Sequence, residues 1–184
     1  MNKLVIFQSD FESLVSDLCR EITISNWKPD YIVGITRGGL VPAVMISQYF
    51  NIPMYALHVS LRDNTSNNES NLWMAEDAFG YIPTEERETL EICWRESNRK
   101  NILLVDDIND SGATFNWIMA DWSSSCLPSD PHWNDVWNNN VKFLTIVDNL
   151  SSNCKVKMDY TAMEINKANN DVWVDFPYEK WWKK

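Results

Sequence analysis

The segment Ile102-Leu103-Leu104-Val105-Asp106-Asp107-Ile108-Asn109-Asp110-Ser111-Gly112-Ala113-Thr114 limits the fold of this 184-residue chain more than any other stretch. Its four leading apolar residues read as a buried strand. The run ends in two adjacent carboxylates, and a third, Asp110, opens a small hydroxyl-rich turn. Phe115, Ile118, Met119 and Trp122 then recur at helical spacing. A strand, a turn and a helix in this order make a unit of an open α/β sheet, where ligands bind at the carboxyl ends of strands. Neighbouring carboxylates repel and are costly to desolvate, so Asp106 and Asp107 require a cation or a polyol as partner. Ser111, Gly112, Ala113 and Thr114 place amides and hydroxyls at a helix N-terminus, which is a phosphate cradle. One kind of ligand uses both halves: a sugar whose vicinal hydroxyls meet Asp106 and Asp107 and whose 5′-phosphate sits in the turn.

The rest of the chain repeats the alternation. A strand is expected over 4–7. A helix follows with Ser9 as N-cap and Glu12 at N3, carrying Phe11, Leu14, Val15, Leu18 and Ile22 on its apolar face. Strands are expected over 31–35 and 54–59, separated by a Gly38-Gly39 turn and a helix that starts near Pro42 and runs to about Phe50. Residues 60–71 read as a long polar loop, and 85–98 as a helix capped by Thr84. The stretch 123–140, rich in Ser, Pro, Asn and Trp, reads as an irregular insertion. Strands are expected over 141–147, 160–165 and 172–176. The fold class is therefore α/β, a mainly parallel twisted sheet with helices on both faces. The expected organisation is a single domain over 1–184, with a core of about 28–150. A small C-terminal hood of about 150–184 takes a contribution from the N-terminus.

Composition narrows the function. Sixteen basic against 26 acidic residues give a net charge of −10, which argues against a general nucleic-acid or membrane-surface binder. A polyanionic substrate must then be held by local devices: a few Arg or Lys, helix N-termini and Mg²⁺. Cys19, Cys93, Cys126 and Cys154 form no close pair, so zinc spacing is absent and the expectation is free, mostly buried thiols in a reducing cytoplasm. No apolar run is long enough to span a membrane. His58 and His132 read as structural or exposed rather than catalytic. The ten Trp are divided between core and a flat surface for an aromatic ring or a partner. Nucleophile-elbow, P-loop and Cys-x-x-Cys motifs do not occur.

The segment at 102–114 closely resembles the phosphoribosyl-pyrophosphate (PRPP) signature of type I phosphoribosyltransferases, hydrophobic-Asp/Glu-Asp-x-x-Asp-Thr-Gly-x-Thr, with Ser111 in place of the common Thr. Thr36-Arg37-Gly38-Gly39, at the end of an earlier strand, resembles the pyrophosphate-binding loop of the xanthine-guanine subgroup. There the resemblance implies a non-proline cis peptide at Thr36–Arg37. Trp173-Val174-Asp175-Phe176-Pro177-Tyr178-Glu179 is similar to the Trp-hydrophobic-x-Phe-Pro-Trp-Glu end of small purine phosphoribosyltransferases. In those proteins a hood covers the base, which implies that Trp173 stacks on the ring and Val174 reads its edge through the backbone. In the family a Lys after the strand matching 143–147 contacts the purine 6-oxygen. Here that position is Asn149, an amide that can donate or accept, and Lys155 or Lys157 stands nearby as a substitute.

The resemblance implies the type I phosphoribosyltransferase fold and an Mg²⁺-dependent exchange of the pyrophosphate of PRPP for a base nitrogen, yielding a nucleoside 5′-monophosphate. It implies Asp106 and Asp107 at the ribose diol and metal shell, and Asp110 to Thr114 at the 5′-phosphate. Thr36, Arg37, Gly38 and Gly39 fall at pyrophosphate, and Trp173, Val174 and Asn149 at the base. Asp110 is the expected general base or proton relay. The expected partners are PRPP and a free nucleobase, a 6-oxopurine first, an aminopurine or another base second, with a homodimer or higher homo-oligomer as the assembly. The rival reading is a non-catalytic module on the same fold that senses PRPP or a nucleotide.

Overall fold

Two strands carry the centre of the molecule. In the computed structural model, which describes residues 2–59, 61, 68, 70–81, 96–179 and 181–183, every residue of β2 (Tyr31–Ile35) is buried. So are the first five of β4 (Ile102–Asn109). Near-continuous apolar runs of this kind belong in a parallel sheet covered on both faces. The sheet is completed by β3 (Met54–Leu57), β5 (Val141–Asn149) and β6 (Tyr160–Ile165) in the order β3-β2-β4-β5-β6, all neighbours parallel. A separate two-stranded ladder joins β1 (Asn2–Val5) to β7 (Val172–Asp175), also parallel.

Alternation along the strands sorts the core onto two faces. Tyr31, Val33, Ile35, Leu104 and Phe143 pack with α3 (Leu72–Phe79) and α4 (Ala113–Ser125). Ile32, Leu103, Val105, Leu144 and Ile146 pack with α1 (Gln8–Ile24), α2 (Leu40–Phe50) and the β7 end. The expected helices on both faces are therefore present. From β2 the chain crosses to β3 on one side of the sheet. From β4 it crosses to β5 on the other. The two crossovers diverge and open a crevice between the carboxyl ends of β2 and β4, the topological switch point where such sheets hold ligands.

Several expected elements differ in detail. Helix α1 starts at Gln8 with Phe7 as N-cap and no side-chain cap, so Ser9 lies inside the helix and accepts from the Ser13 hydroxyl through its carbonyl. The first strand is Asn2–Val5 rather than 4–7, because its register is set by β7. The eight-residue α3, absent from the sequence reading, buries Met74, Ala75, Ala78 and Phe79. Residues 123–140 are only partly irregular. Helix α4 runs on to Ser125, and a 3₁₀ turn at Pro131–Asp135 buries Trp133 against Phe79, with its indole N–H donating to the Cys126 carbonyl (2.9 Å). The expectations for the loop at 60–71 and the helix at 85–98 fall mostly outside the described residues. Within them, Glu96–Asn98 forms a 3₁₀ turn.

Candidate active site

The carboxyl ends of β2 and β4 bring two of the sequence motifs together. After Ile35 the chain turns through Thr36, Arg37, Gly38 and Gly39 into α2, and the Thr36–Arg37 peptide is cis. The turn is pinned at its base by the Thr36 amide on the Leu57 carbonyl (3.0 Å) and by a hydrogen bond between Thr36 Oγ1 and His58 Nδ1 (2.9 Å). Arg37 is exposed at its tip. Both glycines are required by close approach. A Cβ on Gly38 would overlap the Asp107 carboxylate, and one on Gly39 would overlap the Val105 carbonyl. The turn thus lies directly on the acidic strand end.

That strand end is longer than the sequence indicates. β4 continues through both carboxylates to Asn109, because β5 extends alongside it and pairs Asp106 with Thr145 and Asn109 with Asp148. Pairing with β2 stops at Val105↔Gly34, so the carboxylates stand beyond β2 while β5 still braces them. Each carboxylate accepts a backbone amide of the strand itself, which offsets the repulsion expected of an adjacent pair. Asp106 Oδ1 accepts from the Asp107 amide and Asp107 Oδ1 from the Ile108 amide, both at 2.9 Å. Asp107 Oδ2 accepts from the Tyr178 hydroxyl at 3.2 Å.

The turn at 110–114 is built as a helix entry. Gly112, with φ of 83°, is the N-cap of α4, and the Ala113 amide donates to Ser111 Oγ (3.3 Å). Gly112 has no room for a side chain, because the Cys154 backbone lies against it. Asn116 ties the two segments, donating to the Asn153 carbonyl and accepting from the Lys155 amide, both at 2.9 Å.

Asp110 faces a cation that sequence reasoning missed. Lys167 Nζ is 2.8 Å from Asp110 Oδ1, on a side chain only 19% exposed. Asn149 fixes this pair. Its side-chain N–H donates to the Asp110 carbonyl (2.8 Å), and its Oδ1 accepts from the Lys167 amide (3.0 Å), the Ser151 hydroxyl (2.8 Å) and the Ser151 amide (3.2 Å). Asn149, expected at the base edge, is buried and has its amide committed to these backbone and hydroxyl partners. It holds Asp110 and Lys167 in place. Of the expected base-binding residues on β7, Trp173 is exposed and Val174 buried.

A family model described as the phosphoribosyl transferase domain matches residues 7–180. The chain belongs to that family. Among curated relatives of this phosphoribosyltransferase-domain chain, xanthine phosphoribosyltransferase 1 of Saccharomyces cerevisiae is 22% identical over 135 residues, covering 65% of the chain and 59% of the relative. Hypoxanthine-guanine phosphoribosyltransferase of the same yeast is 25% identical over 104 residues, covering 53% and 46%. The chain thus spans about half the length of the curated relatives it matches. Among solved structures, purine phosphoribosyltransferase from Pyrococcus horikoshii Ot3 superposes with a TM-score of 0.63 at 19% identity, over 98% of this chain and 96% of that one. The fold is shared across nearly the whole chain.

Within this phosphoribosyltransferase domain, the motif residues Thr36, Arg37, Gly38 and Gly39 lie on the turn after β2, Asp106 and Asp107 on the end of β4, and Asp110, Ser111, Gly112, Ala113 and Thr114 on the turn and helix start that follow it, all at the switch point. Lys167 and His58 join them without a motif, and Tyr178 joins them from the hood. Lys167 sits in an Asn-rich turn with nothing local to tie it to Asp110. Tyr178 did carry a signal, since the hood pattern has Trp at that place and a Tyr adds a hydroxyl. Among the described residues, no group of three or more His, Cys, Asp and Glu forms a ready cation site.

Proposed function

We propose that this chain is an Mg²⁺-dependent purine phosphoribosyltransferase with a preference for 6-oxopurines. The observation that carries the reading is the seating of the Gly38 turn on the Asp107 carboxylate at the switch point. A pyrophosphate loop and a ribose-diol site must adjoin if one ligand, PRPP, is to bridge them. Arg37 and the Gly38 and Gly39 backbone bind the leaving pyrophosphate, with Thr36 held under them by His58. Asp106 and Asp107 receive the ribose hydroxyls, and the 110–114 turn takes the 5′-phosphate. Their hard oxygens suit Mg²⁺, which binds through one or two carboxylates and completes its shell with water and substrate oxygens. When bound there, the ion offsets charge on the departing pyrophosphate. The bond from the sugar C1′ to pyrophosphate breaks, the bond to the purine ring nitrogen forms, and the protein contributes by positioning and charge compensation.

The base preference rests on the Asp110–Lys167 pair. A carboxylate acceptor and an ammonium donor 2.8 Å apart complement a purine edge that offers an N7 proton beside a 6-oxygen. An amino group at position 6 would face the ammonium donor to donor. Asp110 is the proton acceptor, Trp173 stacks on the ring, and the Val174 backbone reads its far edge.

We also read the chain as one domain whose hood is completed by β1, and the protein as a homodimer of the cytoplasm. Helix α2 supports the dimer. It has no charged residue; it exposes Val41, Val44 and Gln48 opposite its buried Pro42, Ala43 and Ile46, and Tyr49 at its C-terminal end. Exposed Val and Tyr side chains on an uncharged helix are the place where two copies of a −10 chain repel least. Cys19, Cys126 and Cys154 are free thiols, in keeping with a reducing compartment.

The test is a panel of hypoxanthine, guanine, xanthine and adenine incubated with PRPP and Mg²⁺, with products resolved by chromatography. Nucleoside monophosphates from the oxopurines, in excess over adenine, are expected. PRPP binding without pyrophosphate release for any base would make the protein a sensor.

A further inference from the structure

Asp107 is held from three sides. Its own strand gives the Ile108 amide to Oδ1 (2.9 Å), the Gly38 turn presses on the carboxylate, and the Tyr178 hydroxyl donates to Oδ2 (3.2 Å). The first two belong to the β2–β4 crevice. The third comes from the far end of the chain and closes an aromatic cluster. The Tyr178 ring stacks on Phe176 at 5.5 Å and 11°, and meets Phe11 of α1 edge-on at 5.5 Å and 76°. Phe176 is itself buried and packs edge-on to Phe11 at 6.4 Å. Between the two stacked rings lies Pro177, whose fixed φ stiffens the segment. Hydrophobic packing therefore places the ring, and the hydroxyl is left to meet a carboxylate. At 3.2 Å the bond is long for an O–H donor, so it orients the acceptor more than it stabilises the fold.

We propose that Tyr178 is a positioning residue that sets the rotation of the Asp107 carboxylate and, by doing so, couples the base-covering hood to the ribose site. A carboxylate otherwise turns easily about its last bond, since that torsion is broad. A diol or a hydrated cation needs one orientation. Trp173 lies only a few residues upstream, on the strand that leads into the Phe176–Tyr178 stack. Any shift of β7 that accommodates a base is transmitted to the Tyr178 hydroxyl, and any shift of Asp107 on binding PRPP is transmitted back. Coupling of this kind is reciprocal: each ligand tightens the other by the same factor. This inference rests on the assignment of Asp107 to the ribose of PRPP made above.

The experiment compares the full chain with Tyr178→Phe, which keeps the ring and removes only the hydroxyl. Calorimetry measures Mg²⁺-PRPP, free pyrophosphate, and 9-deazaguanine with and without PRPP; the deaza base has carbon at the reacting position and cannot turn over. In the wild type, PRPP tightens 9-deazaguanine several-fold. In Tyr178→Phe the PRPP affinity falls about five- to tenfold, the scale of one ordinary hydrogen bond, in keeping with the length of this one. The mutual tightening drops close to one, and pyrophosphate affinity is unchanged because Arg37 and the glycine turn are untouched. Unaltered PRPP affinity and coupling in Tyr178→Phe overturn the proposal. So does an equal loss for every ligand together with a lowered melting temperature, which would make the hydroxyl a purely structural group. A wild type that binds no PRPP overturns instead the functional reading on which the proposal rests.

Discussion

Asn149 illustrates how one buried amide organises chemistry it does not perform. Its donor and acceptor link Asp110 to Lys167, so the pair inherits its geometry from the β5 end and from the β6–β7 turn. Asn149→Lys would remove the acceptor for three donors and insert an ammonium where only 4% of the residue is exposed. Orphaned buried groups cost about 1–3 kcal/mol each, so urea unfolding should report a loss of at least about 2 kcal/mol together with loss of turnover. A stable Asn149→Lys protein with improved use of 6-oxopurines would return Asn149 to the base site. Lys167→Met tests the partner. It keeps the aliphatic stem, and kcat/KM should fall about tenfold or more for hypoxanthine and much less for adenine, because a charge-assisted bond to a 6-oxygen is what disappears. Equal loss for both bases would assign Lys167 to Asp110 alone. Asp106, Asp107, Asp110 and the Arg37 turn were legible in the sequence because each lies in a compact motif with local chemistry. Lys167 was not, since the contact that defines it is made by tertiary structure.

At the scale of elements, strand centres and apolar helix faces were plain from periodicity, and ends were not. Helix α1 carries a Ser9/Glu12 pair with capping-box spacing, yet the helix begins before it. Phe7 takes the N-cap position, its carbonyl accepting from the Phe11 amide (2.9 Å). Ser9→Ala should therefore shift thermal stability by no more than about 0.5 kcal/mol, below the roughly 1 kcal/mol typical of a lost cap, as thermal unfolding will measure. A loss of a full cap's worth would place the helix start back at Ser9. The apolar run 102–105 marks the buried part of β4 and puts the carboxylates at its end; the strand goes on to Asn109 because β5 supplies a ladder partner that overrides the low strand propensity of Asp and Asn. Helix α3 escaped notice because eight residues are too few to display a period. The Trp-rich insertion looked irregular, yet Trp133 and Val136 are buried and seal one core face. Its function is packing, which composition alone does not reveal.

For the whole molecule, net charge and apolar surface pull in opposite directions. A −10 chain disperses its copies, and the exposed stripe on α2 is the uncharged exception. Tyr49, 56% exposed, is the natural probe. Tyr49→Glu would bury an unpaired carboxylate at a dimer interface, a cost of several kcal/mol, and should yield monomers by light scattering at micromolar concentration while leaving secondary structure intact. A wild type already monomeric there, or a dimer indifferent to the change, would remove α2 as the contact. The two-faced α/β architecture followed from the alternation of strands and helices; the strand order β3-β2-β4-β5-β6 did not, because it is fixed by tertiary pairing. The dimer proposed on α2 has no such basis, because an apolar helix reads the same whether its cover is its own core or a second chain.

The β1–β7 ladder divides the labour of the chain in a way that bears on how it should be handled in the laboratory. The switch-point crevice is supported by the five-stranded sheet, whereas the strand carrying Trp173 is paired only to β1, with Lys3 alongside Trp173 and Leu4 alongside Val174. The first few residues are thus the structural partner of β7, the strand we propose covers the base. Deleting residues 1–5 should leave free pyrophosphate affinity by calorimetry within about threefold of the intact chain, since the Arg37 turn does not depend on β7, but weaken PRPP through the Tyr178 contact and depress turnover with every purine. A purification tag that strains this short strand would have the same effect and would imitate an inactive enzyme. Full turnover after the deletion would detach β1 from the acceptor side.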